Sequence, residues 1–389
     1  MGLVGSAGVA LLSIPALAAC GRHQTTNGAP PAAARSVAPA AASSSAAALA
    51  PASAPPFAGA TPSAEPKASA HHCKALGKKT STELAPILEE EVALAVEGDD
   101  VYALGYTHAL ARSRLYRFTR DGGAPEVLAE QKGLGDRKHF SLQDGAGYYV
   151  QAGKLFKLGP AQNSALLLRD GVHSPAAVVS DQLLVVACDS KAKADHLLRI
   201  PSAGGDAETV ADLPRASADR CQYSSVVADE REAFIADWTG SQIFGVSLRD
   251  KVVRVVVAKR GFPGPLVLEP DALVYSSALG MFRVPRTGGA PTRLADTNEA
   301  LAPYSLIAAS RNDYWVFDNI AYTNESVLHR LPRAGGDSKA FMKLHNADPN
   351  GENIDGQGLS DFAVDDECVY VAQRQFKRPG TQIIAKSLE

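Results

Sequence analysis

Most of the chain is built from short runs in which apolar and polar residues alternate, the period of a strand with one face turned away from water. One run recurs with its turn attached. Leu115-Tyr116-Arg117-Phe118 is followed by Gly122-Gly123, Leu197-Leu198-Arg199-Ile200-Pro201 by Gly204-Gly205, Met281-Phe282-Arg283-Val284-Pro285 by Gly288-Gly289, and Leu328-His329-Arg330-Leu331-Pro332 by Gly335-Gly336. A second apolar run follows each pair of glycines, as in Glu126-Val127-Leu128-Ala129 and Thr292-Arg293-Leu294-Ala295. Such a unit predicts a β-hairpin: alternation makes the strand, proline ends it, and glycine supplies a positive φ in the turn. Weaker copies stand between them at Leu155-Phe156-Lys157-Leu158, Ile243-Phe244-Gly245-Val246 and Ile383-Ile384-Ala385-Lys386.

A second hairpin precedes each copy, with an acidic or polar turn and an apolar second strand. Examples are Asp99-Asp100-Val101-Tyr102, Asp181-Gln182-Leu183-Leu184, Asp271-Ala272-Leu273-Val274 and Asn312-Asp313-Tyr314-Trp315. Two hairpins per unit, at intervals of roughly 36 to 55 residues, are the pattern of a β-propeller. The expectation is therefore an all-β fold, a single seven-bladed propeller of four-stranded antiparallel blades. Six or eight blades would follow from one misread weak copy. The last unit ends at Leu388-Glu389 without a fourth strand, and Leu84–Leu88, ahead of the first unit, can supply it. Strands from both ends of the chain would then share one blade and leave no open sheet edge in the ring.

The first residues obey a different pattern. Leu3 to Ala19 is apolar but rich in Gly and Ala, interrupted by Pro15, and short for a membrane-spanning helix. It ends in Leu17-Ala18-Ala19-Cys20-Gly21, which resembles the lipobox of bacterial lipoproteins. That resemblance implies cleavage before Cys20 and its acylation, where two acyl chains give stable anchoring. It also implies a cell-envelope location, and Gly21 in place of aspartate implies the outer membrane of a Gram-negative bacterium. From Gly28 to Ala70 the chain is mostly Ala, Pro and Ser, its only charges Arg35, Glu65 and Lys67. No core can form there, so a tether is expected, spanning from about 40 Å as a coil to about 130 Å as polyproline II. The domains predicted are thus a signal peptide over residues 1–20, a tether over 21–75 and a propeller over 76–389. The 389 residues carry 39 basic and 42 acidic side chains, a net charge of −3. A balance of that kind lacks the basic footprint of a nucleic-acid binder.

The repeated apolar-aromatic-Arg-apolar run before Gly-Gly resembles the TolB-like and WD-repeat-like propellers of bacterial envelopes, over about 300 residues. What the resemblance implies is a fold; function has to come from a site. With Cys20 set aside, Cys73, Cys188, Cys221 and Cys368 are even in number and allow three pairings. In the propeller, Cys188 and Cys221 fall on the face where inner strands begin, whereas Cys73 and Cys368 fall on the other. The pairs expected are Cys188–Cys221 and Cys73–Cys368, with free buried thiols as the alternative.

Where strands enter the channel, Glu91, His139, His173, Tyr223, Tyr304 and Asp361 should gather into a ligand rim, with Trp238 in a neighbouring loop. His71-His72-Cys73 cannot converge on a metal without a further partner. The oxygen-rich run from Asp348 through Asn350 to Asp355 is the one place to look for calcium, although Asn353 stands where an EF-hand loop needs glycine. No nucleophile elbow, zinc-protease motif, phosphate loop or dinucleotide fingerprint appears. The functional expectation is a non-catalytic binding or scaffold module without a cofactor, for an envelope protein or a glycan. Its body would be monomeric and would reach the membrane only through the lipid. The alternative is a calcium-dependent propeller enzyme of the lactonase, lyase or quinoprotein kind.

Overall fold

The computed structural model describes residues 81–388 except 90, 108–109, 121, 133–139, 161–164, 190–193, 216–220, 260, 296–306, 319–324, 346–358 and 375–379. The chain divides into Met1–Glu65 and Pro66–Glu389, and the described residues all belong to the second unit. The signal, the tether, Cys20, Cys73, His139, Tyr304, Asp348, Asn350 and Asp355 lie outside the described residues.

Every regular element among those residues is a strand, and the strands form seven antiparallel sheets of four. The chain enters with β1 (Ser81–Ile87) and then makes blade 1 from β2 (Glu91–Glu97), β3 (Asp100–Thr107), β4 (Arg112–Thr119) and β5 (Glu126–Lys132). Blade 2 holds β6 (Ser141–Gln143), β7 (Ala146–Gln151), β8 (Lys154–Leu158) and β9 (Leu166–Asp170), and blade 3 holds β10 (Ala177–Val179), β11 (Gln182–Asp189), β12 (Ala194–Pro201) and β13 (Glu208–Leu213). Blade 4 follows with β14 (Tyr223–Ala228), β15 (Glu232–Asp237), β16 (Gln242–Ser247) and β17 (Val253–Val257), and blade 5 with β18 (Leu266–Leu268), β19 (Ala272–Ser277), β20 (Gly280–Pro285) and β21 (Thr292–Ala295). Blade 6 comprises β22 (Ile307–Ala309), β23 (Asp313–Asp318), β24 (Glu325–Pro332) and β25 (Lys339–His345). Blade 7 has β26 (Leu359–Val364), β27 (Cys368–Arg374) and β28 (Thr381–Ser387), and β1 supplies its fourth strand by pairing with β28. The architecture is a seven-bladed propeller closed by strands from both ends of the described chain.

The core is divided among seven apolar clusters, each lying between two successive blades. Tyr102 and Leu104 of β3 meet Tyr149 and Leu158 of blade 2, whereas Val101 and Ala103 meet Tyr370 and Ile383 of blade 7. Consecutive residues of one strand thus serve opposite neighbours, so the second strands read as unbroken apolar runs. Each large side chain so buried contributes about 1.5–3 kcal/mol.

The recurring turn has the expected chemistry. In blade 5 the Gly288 N–H donates to the Pro285 carbonyl at 2.9 Å, and Gly288 and Gly289 have φ of 90° and 127°. A side chain would be strained at both positions. The register between third and fourth strands shifts in every blade: at Leu115/Tyr116, Leu155/Phe156, Leu197/Leu198, Ile243/Phe244, Met281/Phe282 and Leu328/His329, and at Glu83/Ala85 in β1. A bulge at this point twists the outer strand and makes its free edge a poor template for pairing with another chain.

Successive blades are latched by charge across the face that carries the first turns. Three of the repeated hairpins place an arginine two residues before the glycine pair, and each arginine reaches an acid of the preceding blade. Arg120 pairs with Asp365 at 3.1 Å, Arg333 with Glu269 at 3.1 Å, and Arg286 with Asp229. In blades 3 and 7, where that position is not arginine, a cation of the preceding blade's third strand binds its carbonyl instead: Lys157 the Ser202 oxygen at 3.0 Å and Arg330 the Leu388 oxygen at 2.8 Å. Between blades 1 and 2 the Glu97 carboxylate accepts the N–H groups of Asp144 and Gly145.

Burial by itself would raise the Asp229 carboxyl, but Arg286 and the N–H groups of Arg231 and Glu232 outweigh it and hold the group below the ordinary carboxylate value. A carboxylate lowered in the folded state stabilises fully above its unfolded value near about 4 and loses that contribution as the pH falls through its folded value. Arg286→Ala is therefore expected to destabilise the protein by about 1–2 kcal/mol at pH 7 and to flatten the loss of stability below about pH 4. Urea unfolding measured at pH 7 and pH 3.5 checks both.

Candidate functional site

Strand direction sorts the loops onto two faces. The connections between blades and the turns between second and third strands lie on the face where inner strands begin, here the entry face. The described members of the expected rim sit there: Glu91 opens β2, Tyr223 opens β14, Asp361 stands in β26, His173 precedes β10 and Trp238 follows β15. Two of them, Tyr223 and Asp361, make structural contacts. Tyr223 is buried and donates its hydroxyl to Asp195 Oδ2 at 2.7 Å, while Arg215 meets Asp195 Oδ1 at 2.9 Å. Burial, helped by the Asp195 carboxylate, pushes the Tyr223 hydroxyl well above the usual tyrosine range, so it stays a donor. Asp361 Oδ2 accepts the Leu94 N–H at 2.8 Å, fastening the inner strand of blade 7 to that of blade 1. His173 is solvent-exposed. Trp238 is half-buried, and its ring lies beside that of Phe262.

Cys188, in β11, is disulfide-bonded to Cys221, two residues ahead of β14, with Cα atoms 6.3 Å apart. The bond ties blade 3 to the connection entering blade 4 beside the Asp195, Arg215 and Tyr223 cluster, and closing 33 residues is worth about 3–4 kcal/mol. Cys188, Asp195 and Cys221 are the one group of three metal-donor side chains in close proximity among the described residues, and the two sulfurs are joined to each other. Cys368, opening β27, is disulfide-bonded as well.

The most distinctive feature of the entry face was not singled out by the hydrophobic pattern. The connection from β17 to β18 runs Lys259-Arg260-Gly261-Phe262-Pro263-Gly264-Pro265, and three of its residues, Lys259, Gly261 and Phe262, have φ of 52°, 61° and 54°. A bulky side chain at such a φ costs about 1–2 kcal/mol. The strain is maintained by neighbours. Ala278 N–H donates to the Gly261 oxygen at 3.0 Å, Gly264 N–H to the Ser276 oxygen at 2.8 Å, and the Ser224 hydroxyl to the Pro263 oxygen at 2.7 Å. The result turns Phe262 outward, 45% exposed, with its ring 5.0 Å from that of Trp238.

Leu279, in the turn between β19 and β20, completes the patch. It is 47% exposed and packs so closely on Gly261 that a Cβ there would lie 2.9 Å from its side chain. The turn under Trp238 is equally fixed: Asp237 accepts from Gly240 N–H at 2.8 Å and from the Gln242 amide at 3.0 Å, and Trp238 N–H donates to the Gln222 oxygen at 3.0 Å. Two exposed apolar side chains, Phe262 and Leu279, and the half-buried Trp238 beside them are thus held on rigid backbone from three segments of blades 4 and 5, an arrangement suited to a contact surface. Phe262→Gly retains the positive φ and removes only the ring. The chain has two tryptophans and Trp315 is fully buried, so this variant is expected to unfold within about 1 kcal/mol of the parent while its tryptophan emission shifts to the red. An unchanged emission maximum would mean that Phe262 does not cover Trp238.

No family model and no curated protein matches the chain. Among solved structures, the computationally designed Ika8 protein is similar, with 12% identity over 79% of this chain and 98% of that one and a TM-score of 0.50. A chain from the mitotic checkpoint complex is 8% identical over 79% of this chain and 95% of its own, also with a TM-score of 0.50. BamB from Moraxella catarrhalis is 13% identical over 80% and 99% of the two chains, with a TM-score of 0.45. Likeness at such identities concerns the fold alone.

Proposed function

We propose that this protein is a lipid-anchored propeller of the bacterial cell envelope that acts as a non-catalytic binding module, holding a protein partner on the entry face of blades 4 and 5. The observation that carries the reading is the patch of Trp238, Phe262 and Leu279. A strained backbone presents a large aromatic ring to water at this point, a cost that a docking surface recovers when a partner covers it. No helix among the described residues is long and apolar enough to cross a membrane. The membrane attachment proposed is the acylated Cys20, on the strength of the lipobox-like Leu17-Ala18-Ala19-Cys20 run.

The test places a photo-crosslinking amino acid at Leu279 in the full chain expressed in a Gram-negative host, and at Val252 on the opposite face as control. A discrete protein adduct is expected from position 279 alone, lost when Phe262→Gly is added and sharply reduced when Cys20→Ala prevents anchoring. Equal adducts from both positions, or an adduct indifferent to Phe262, would overturn the assignment of the binding face.

A further inference from the structure

We infer that Cys188, Cys221 and Asp195 form a zinc site once the disulfide is reduced, so that a metal ion can replace the S–S bond as the clasp between blade 3 and the connection into blade 4. The inference is independent of the binding face proposed above. One donor atom from each of the three residues lies within 4.8 Å of the other two. A tetrahedral zinc centre with bonds of about 2.0–2.3 Å keeps its ligand atoms about 3.3–3.8 Å apart, so the fold already gathers the donors to that scale. A set of two sulfurs and one carboxylate suits zinc, whereas calcium and magnesium require oxygen ligands throughout.

The surroundings supply what such a centre needs. Asp195 is buried, 1% exposed, and its Oδ2 accepts the Tyr223 hydroxyl at 2.7 Å, which fixes the carboxylate beside the sulfurs. Hydrogen bonds of this kind orient metal ligands and tune their affinity. Arg215 stands 2.9 Å from Oδ1, its side chain 9% exposed, while its Nε and Nη1 have no hydrogen-bond partner. The guanidinium serves here as a charge: two thiolates and a carboxylate are offset in full by Zn²⁺ together with Arg215. A cavity of about 440 Å³ opens beside Cys188, lined also by Arg169, Asp189, His196 and Thr209, and both cysteines are half-buried. It gives a reductant and an ion a way in, and it has room for a water molecule at the fourth zinc position.

Disulfide and metal exclude one another. A dithiol passes two electrons to the Cys188–Cys221 bond through a mixed disulfide; its own sulfurs close on each other, and its two protons go to the freed thiols. Zinc then displaces those two protons as it forms two zinc–sulfur bonds and one bond to the Asp195 carboxylate. In oxidising surroundings the disulfide holds the clasp, and where dithiols keep cysteines reduced the metal holds it.

The experiment reduces the full chain with a dithiol, removes the reductant under nitrogen and adds Zn²⁺ alone, with Co²⁺ as a coloured probe. Cys188→Ser, treated identically, accounts for zinc held anywhere else, Cys73 and Cys368 included. The reduced parent is expected to bind one further zinc ion relative to Cys188→Ser. Its unfolding midpoint should rise with zinc, and that of the variant should not. Co²⁺ should give a thiolate-to-cobalt absorption that zinc abolishes, and the oxidised parent should behave as the variant does. Asp195→Asn should weaken zinc at least about tenfold, and Tyr223→Phe, which keeps all three donors, about tenfold. Equal zinc uptake by the reduced parent and Cys188→Ser, or zinc affinity unchanged in both Asp195→Asn and Tyr223→Phe, overturns the inference.

Discussion

Ring closure is the constraint on which the rest of this molecule depends. Every blade buries both faces against its neighbours, so an unclosed ring would expose two apolar sheet faces. The pairing of β1 with β28 prevents this, and the connection that follows reinforces the seam. Glu89 is fully buried there, accepts the Tyr116 hydroxyl and faces Arg112 and Arg114 at 4.0 and 3.7 Å, while its carbonyl accepts from Thr381 at 2.8 Å. Gly105 leaves the room: a Cβ at that position would come within 2.7 Å of Glu89. Asp361 then joins the two inner strands. Strands of blades 1 and 7 converge on this one seam, and the contacts of Thr381 with Glu89 and of Asp361 with Leu94 join residues more than 260 positions apart.

Elsewhere the ring is held by repetition with variation. Apolar contact between blades is non-directional and sets spacing, whereas the arginine latches are directional and set rotation of one blade against the next. The repeat offers two solutions to that problem. Either the turn arginine reaches back to an acid, or the preceding blade's third-strand cation reaches forward to the turn carbonyl. Tyrosine hydroxyls strengthen several of these contacts: Tyr314 donates to Glu269 and Tyr370 to Asp365. Burial raises both hydroxyls above the usual range, which keeps them protonated as donors.

A scaffold fixed so firmly can hold strain at its rim. Phe262 keeps its unfavourable φ because hydrogen bonds from blades 4 and 5 clamp the connection on either side, and the same clamps aim its ring. Rigid presentation lowers the entropy lost when a partner binds. The seven outer bulges act in the opposite sense, discouraging association at sheet edges. Association is thereby favoured on one face and discouraged at the circumference.

The local sequence determined the strands, their order and the turns between them, because alternation, proline and paired glycines act within a few residues. Leu115-Tyr116-Arg117-Phe118 and its copies became third strands, and Leu84–Leu88 marked the closing strand, which runs Ser81–Ile87. Arg120, Arg286 and Arg333 were visible as a repeated residue before Gly-Gly, yet their partners come from another blade and no spacing along the chain names them. Tyr223 and Asp361 could be placed at strand starts; only packing decided that they would turn to Asp195 and Leu94. Phe262, between Gly261 and Pro263, read as part of a turn. Its outward aim depends on Ser224, Ser276 and Ala278, distant in sequence, and a side chain's direction in a loop is set by whatever backbone the fold brings beside it.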